Sequence, residues 1–283
     1  SAILTVEGLE TGFTRNGRYS AAVKGVSLHL HPGECLGLIG ESGSGKSVTA
    51  LSIMGLVSSP PGTIRNGAIY LHGEDVLSMP QTQLIAARGS RVAYIFQDPL
   101  TTLHPMHSIG RQVEEAISAH QTLNRQALRE RSIALLDRVG IPDAKARAGH
   151  FPHQLSGGQR QRVGIAMALA NDPDVIIADE PTTALDVTVQ AQILALLREL
   201  QRERGMAMLF ITHDFGVVTE ICDRVAVMRD GRIVETGKTQ AVLGDPQHAY
   251  TKRLIACVPE IGTGKSFLDR VAPLFAADAE ERP

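Results

Sequence analysis

An α/β fold built around a parallel sheet is predicted by three features of the 283-residue sequence. The first is Gly40-Glu41-Ser42-Gly43-Ser44-Gly45-Lys46-Ser47, a G-x-x-x-x-G-K-[ST] phosphate loop, which requires a strand before it and a helix after it. The second is a series of short apolar runs at 35–39, 91–96, 175–178 and 206–211, the texture of strands buried on both faces. The third is the set of polar residues that close three of those runs: Gln97, Asp179-Glu180 and Thr212-His213-Asp214. Polar groups there stand at the carboxyl ends of strands, where open α/β sheets bind their ligands.

The phosphate loop carries the chemistry. Glycines at 40, 43 and 45 let backbone N–H groups curl around a phosphate with no Cβ in the way. Glu41, Ser42 and Ser44 complete the curve, Lys46 is placed to reach the β- and γ-oxygens, and Ser47 offers a hydroxyl to Mg²⁺. Val48 opens an apolar helix, 48–54, whose N-terminal dipole faces the anion. The chain is therefore expected to bind a nucleoside triphosphate together with Mg²⁺.

Composition narrows the class. Hydrophobic residues at 43% and charged residues at 20% are ordinary for a globular protein with a buried core. A net charge of −2 supplies no basic field, so no nucleic-acid partner is expected. Cys35, Cys222 and Cys257 are widely separated, which argues against a disulfide framework or zinc knuckle and fits a reducing compartment. The first residues lack the pattern of a signal peptide, and no run reaches the roughly 18 apolar residues of a membrane helix. A role at a membrane would need another chain to bring this one there.

Along the chain, 3–6 and 22–30 read as strands separated by a polar loop holding Phe13 and Tyr19. Either ring could stack on an adenine, and the sequence does not choose between them. His29 and His31 share a strand face, but with no third ligand nearby they read as solvated residues rather than a metal site. A strand at 67–71 ends on the turn His72-Gly73. Gln97, at the exposed end of strand 91–96, is placed to touch Mg²⁺ or its water. From 99 to about 151 the texture turns helical, with periodic segments at 109–119 and 126–139 and a stop at Gly140. Arg125, Arg129, Glu130, Arg131 and Asp137 are expected on the solvated face of the second.

Leu155-Ser156-Gly157-Gly158-Gln159 then precedes an apolar helix, with Ser156 as N-cap and bare glycine N–H groups behind it. It is a second anion site, more than a hundred positions from the first. Asp179 suits a water-mediated hold on Mg²⁺, and Glu180 suits polarising an attacking water. Asp186 opens an amphipathic helix, 187–203, and His213 is a candidate contact for the γ-phosphate. A hairpin is expected at 224–235 and short helices at 239–243 and 250–257. Gly262-Thr263-Gly264-Lys265-Ser266 mimics a phosphate loop, but Pro259 replaces its first glycine and no strand precedes it. No internal repeat is visible, so one nucleotide-binding module is expected.

The order of these motifs, phosphate loop, Gln97, Leu155–Gln159, Asp179-Glu180, Asp186 and His213, resembles that of the ATP-binding-cassette (ABC) ATPases over residues 3–257. More narrowly, 151–168, 177–192, Ile95-Phe96-Gln97-Asp98-Pro99 and the late 248–254 are similar to the bacterial peptide/nickel (dipeptide and oligopeptide) importer subfamily. That resemblance implies a P-loop NTPase ABC cassette: a RecA-like parallel sheet core, an N-terminal antiparallel β subdomain and a helical signature subdomain inserted at about 99–165. One domain would span 1–257, followed by a mobile acidic tail at 258–283.

It also implies that the nucleotide is ATP, and that the partner is a second cassette in a head-to-tail dimer. Lys46 and Ser47 would handle phosphate and Mg²⁺, while Ser156, Gly157, Gly158 and Gln159 contact the γ-phosphate held by the opposite subunit. Asp179 would hold Mg²⁺ through water, Glu180 act as catalytic base, Asp186 bridge the dimer, His213 act as switch, and Gln97 couple the site to two membrane permease subunits. A solute-binding protein would be an indirect partner, and the cytoplasmic face of the bacterial inner membrane the location.

Two departures from the subfamily stand out. His104-Pro105 replaces a common Asn-Pro, and no cysteine follows Cys257, so the iron–sulfur cluster of some members is not expected. The rival readings are a soluble ABC ATPase acting on nucleic acid or ribosomes, disfavoured by the charge, and an exporter cassette, disfavoured by the importer-like blocks.

Overall fold

The computed structural model describes residues 1–98, 102–183 and 185–256. It is organised by a six-stranded sheet of order β10-β9-β3-β8-β7-β6: β3 (Cys35–Ile39), β6 (Val92–Ile95), β7 (Val175–Asp179), β8 (Ala207–Thr212), β9 (Arg224–Arg229) and β10 (Arg232–Lys238). All neighbours run parallel except the β9–β10 hairpin. Both faces are covered, and the strands divide their side chains between two cores. On β3, Cys35 and Ile39 face one core while Leu36 and Leu38 face the other; on β8, Met208 and Phe210 oppose Leu209 and Ile211. Burial on both sides explains why these strands read as continuous apolar runs.

One face carries α1 (Lys46–Ile53) and a four-stranded antiparallel sheet of order β2-β1-β4-β5, made of β1 (Leu4–Arg15), β2 (Arg18–Leu30), β4 (Gly62–Leu71) and β5 (Glu74–Asp75). Here the structure corrects an expectation. Phe13 and Tyr19 do not lie in a loop; β1 and β2 form one continuous hairpin, closed at Asn16-Gly17, both with positive φ. Register shifts after Val6, Leu9 and Thr11 break the period-two alternation that marks a strand. The Asn-Gly pair was the surviving signal. Strand β4 likewise starts five residues before the expected 67.

Helix α2 (Gln81–Ala87) precedes β6, and among the described residues between β6 and β7 lie α3 (Ile109–Ser118), α4 (Arg125–Arg138), α5 (Ala144–Arg147) and α6 (Gly157–Ala168). Ser108 and Asn124 cap α3 and α4 by accepting from the N–H groups of Arg111 and Ala127. Ile109, Val113 and Ile117 of α3 pack in one core with Leu135 and Leu136 of α4. Arg131 departs from the expected solvated face: it is half-buried, and its guanidinium reaches the Ala170 carbonyl and Asp172. The remaining helices are α7 (Val187–Arg204), α8 (Phe215–Ile221), α9 (Thr239–Gly244) and α10 (Ala249–Ala256). No helix among the described residues is long and apolar enough to cross a membrane. The mimic loop at 262–266, Cys257 and the 258–283 tail lie outside the described residues.

Candidate functional site

Register builds the site. Ile39 pairs with Thr212, Ile211 with Asp179, and Ala178 with Ile95. Gly40, His213 and Glu180, which follow these strands directly, and Gln97, two positions past β6, therefore emerge together at the carboxyl end of the sheet although they are scattered through the sequence. They line a cavity of about 950 Å³ together with the phosphate loop, Thr183, Asp214, Phe215, Ala22 and Leu254.

The loop is closed by steric necessity. A Cβ on Gly40 would stand 2.1 Å from the Met228 carbonyl oxygen, and one on Gly45, at φ 105°, 2.5 Å from the Ala22 carbonyl oxygen. Gly45 is the N-cap of α1, which starts at Lys46 and aims its N-terminus into the cavity. Lys46 is buried, and its Nζ donates to the carbonyls of Gly40 (2.8 Å) and Glu41 (2.9 Å). Burial pulls its pKa down, against the opposing pull of Glu180, Asp179 and Glu41. An anion in the loop restores the preference for the charged form.

Asp179 closes β7 and is buried. Its Oδ1 accepts from the Ser47 hydroxyl (3.1 Å) and its Oδ2 from the Tyr94 hydroxyl (2.7 Å). Burial raises its pKa, and both hydrogen bonds and Lys46 counter that rise. Tyr94 is pushed up in turn, by burial and by the Asp179 charge, and stays a neutral donor. A hydroxyl and a carboxylate side by side at a buried strand end form the hard oxygen donor set that Mg²⁺ takes.

Glu180 adopts a left-handed φ of 47° and donates its N–H to the Ile211 carbonyl (2.9 Å). Its Oε2 accepts from Gln97 Nε2 (3.1 Å) and the Thr183 hydroxyl (2.9 Å), and its Oε1 lies 3.2 Å from His213 Nδ1. Gln97, Glu180 and His213 are thus one connected group. Tyr94 and Thr183 escaped the sequence reading. Thr183 lies three residues past Glu180, and a turn there was the available signal; for Tyr94 only a pairing of β6 with β7 could have shown it.

Ser156 caps α6 in a reciprocal box: its hydroxyl accepts from Gln159 N–H (3.3 Å), and Gln159 Oε1 from Ser156 N–H (3.0 Å). The helix start packs against the next element, because a Cβ on Gly158 would be 2.4 Å from Val189 Cγ1. Asp186 caps α7 through Val189 N–H (3.0 Å) and sits beside this turn. None of Ser156, Gly157, Gly158, Gln159 and Asp186 lines the cavity that holds Lys46.

Phe13 and Tyr19 do not line it either. The Arg65 guanidinium covers the Tyr19 ring at 3.3 Å, and Gly12 lies so near that ring that a Cβ would be 2.6 Å from its Cζ. Phe13 is beside Gly62. The residue that the antiparallel sheet contributes to the cavity, among those described, is Ala22.

A phosphate loop, a carboxylate pair at the next strand but one, and a separate capped glycine turn in a helical insert define an ATP-binding cassette. Comparison with known proteins agrees. Residues 23–183 match the ABC transporter family, to which the chain belongs, and residues 234–279 match the oligopeptide/dipeptide transporter C-terminal region. It is 52% identical over 258 residues to the peptidoglycan transport ATP-binding protein YejF of Agrobacterium fabrum, covering 91% of this chain and 47% of that one. Against the oligopeptide transport ATP-binding protein OppD of Bacillus subtilis the identity is 47%, over 92% of this chain and 72% of that one. The chain thus spans about half the length of the first relative and most of the second. Among solved structures it is similar to an ATP-binding cassette in a dimeric post-hydrolysis state bound to ADP and Pi. The TM-score is 0.74 at 29% identity, covering 83% of this chain and 98% of that one.

Proposed function

We propose that the chain is the ATP-hydrolysing subunit of a bacterial ABC importer for di- and oligopeptides or related small solutes. The observation that carries this reading is the separation of two anion cradles: Lys46 lines the cavity and Ser156 does not. Each cradle is half a site, and a head-to-tail pair of cassettes completes both. The solved dimeric cassettes supply the analogy. The solute class rests on relatives named for peptide, oligopeptide, glutathione and peptidoglycan transport, compounds that share peptide linkages.

In this mechanism the loop N–H groups and Lys46 hold the β- and γ-phosphates of ATP. Ser47 and Asp179, with Gln97 at the rim, hold Mg²⁺, which when bound neutralises phosphate charge. Glu180 takes the proton of the attacking water, and Gln97, Thr183 and His213 fix its carboxylate. Ser156, Gly157, Gly158 and Gln159 meet the γ-phosphate of the second cassette, and Asp186 lies at the seam between the two. No helix among the described residues is long and apolar enough to cross a membrane; in this reading two permease subunits receive the motion. A solute-binding protein delivers the cargo, and the cassette works peripherally on the cytoplasmic face. Co-purification tests it: recovery with polytopic membrane subunits is expected, and recovery with ribosomes or nucleic acid sinks the reading.

A further inference from the structure

The cavity has a wall that neither the phosphate loop nor the strand ends provide. Helix α10 packs against the loop, and Leu254 from it lines the cavity. Four residues earlier Tyr250 is almost fully buried, and its hydroxyl accepts from the backbone N–H of Glu41 at 3.3 Å. The Arg229 guanidinium lies over the ring at 5.0 Å. Burial is the main influence on this phenol and raises its pKa, so it remains neutral.

The atom it meets matters. The Glu41 N–H and the Gly40 C=O belong to a single peptide plane. That carbonyl accepts from Lys46 Nζ at 2.8 Å. Lys46 therefore pins the plane from one side and Tyr250 from the other. Turning the plane breaks both bonds.

The helix that carries Tyr250 is itself tethered. The Glu235 carboxylate on β10 accepts from Gln247 N–H (2.8 Å) and His248 N–H (3.1 Å), just before α10 begins. His248 Nδ1 then accepts from Tyr250 N–H at 3.1 Å. The route runs from the hairpin through Glu235 to α10 and on to the first peptide of the loop.

We propose that Tyr250 is a positioning residue for ATP binding: it holds the Gly40–Glu41 peptide in its phosphate-competent orientation once Lys46 turns from the Gly40 carbonyl to the nucleotide. The proposal rests on the ATPase reading. In the free protein Lys46 shares the hold on the plane, so loss of the phenol oxygen leaves the peptide oriented. In the bound state Tyr250 is the remaining restraint, so the loss falls on affinity.

The test is equilibrium titration with Mg·ATP, using chains that carry Glu180→Gln to stop turnover, with and without Tyr250→Phe. One neutral hydrogen bond corresponds to a rise in Kd of about twofold to tenfold. That rise is expected with the melting temperature of the nucleotide-free protein lowered by no more than the loss of one neutral hydrogen bond implies. A Kd equal to the parent's overturns the proposal, as does a lower melting temperature with an unchanged Kd. Glu235→Gln, which slackens the tether from a distance, should raise Kd in the same direction. If the parent binds ATP and both variants match it, this inference fails alone. If the parent binds none, the ATPase reading fails first.

Discussion

Replacing Glu180 with Gln separates binding from chemistry more cleanly than any other change at this site. The amide matches the carboxylate in size, and the group is well enclosed, with a side-chain exposure of 16%. Its oxygen can still accept from Gln97 and Thr183, while its NH₂ takes the place of Oε1 opposite His213 Nδ1. The network therefore survives. What disappears is the proposed base, and a positioned general base is worth about 10²–10⁴ in rate, or about 2.7–5.4 kcal/mol of barrier.

Affinity should move the other way. Glu180 is the largest of the charges that favour protonated Lys46, and it faces the same cavity. Removing its negative charge leaves less repulsion for the γ-phosphate. The expected outcome is phosphate release at least about a hundredfold slower, with ATP bound as tightly or tighter and accumulation of a closed two-cassette species by size-exclusion chromatography. Phosphate release is followed at saturating Mg·ATP. Equal rates in mutant and parent would refute the base assignment.

Lys46→Ala should weaken ATP itself, by about tenfold to a hundredfold for a charge-assisted contact, read by titration; parental affinity would remove Lys46 from the phosphate site. Asp179→Asn should raise the melting temperature of the nucleotide-free protein by a few degrees, for a gain of about 1 kcal/mol, while Mg²⁺-dependent turnover is lost. The sign follows from the raised carboxyl pKa, which burial causes. A folded state that holds the proton more tightly pays for the charge near pH 7. The cost fades as pH falls through the raised value and is gone below the unfolded value of about 3.9. The gap between mutant and parent should therefore narrow as pH is lowered, and a mutant that melts below the parent at pH 7 contradicts the argument.

The parts of this site that were legible in sequence are those whose chemistry is local. The phosphate loop and the Ser156–Gln159 capping box each close within eight residues or fewer, and fixed spacings betray them. Strand-end positions were legible because strands buried on both faces are plain apolar runs, so the residue after each run is known before the sheet order is. Tyr94 and Tyr250 were hidden because their partners are 85 and 209 positions away. An aromatic inside a strand or helix otherwise reads as core. The hairpin of Phe13 and Tyr19 was hidden by its bulges, and the Arg65 guanidinium on Tyr19 by its distance along the chain.

The neighbouring carboxylates pose a geometric problem that the backbone solves. Successive side chains of an extended strand point to opposite faces, so Asp179 and Glu180 would serve opposite sides of the sheet if β7 simply continued. Glu180 instead takes a left-handed φ of 47°, while its N–H keeps the strand bond to Ile211. The turn places Glu180 in the cavity wall, held by Gln97, Thr183 and His213, while Asp179 stays buried against Tyr94 and Ser47. Holding a non-glycine residue in that conformation costs on the order of 1–3 kcal/mol. A glycine would relieve the strain and lose the base. Strain at this position is what the proposed division of labour between two adjacent acids requires: one carboxylate desolvated to hold a metal, the next turned to meet water.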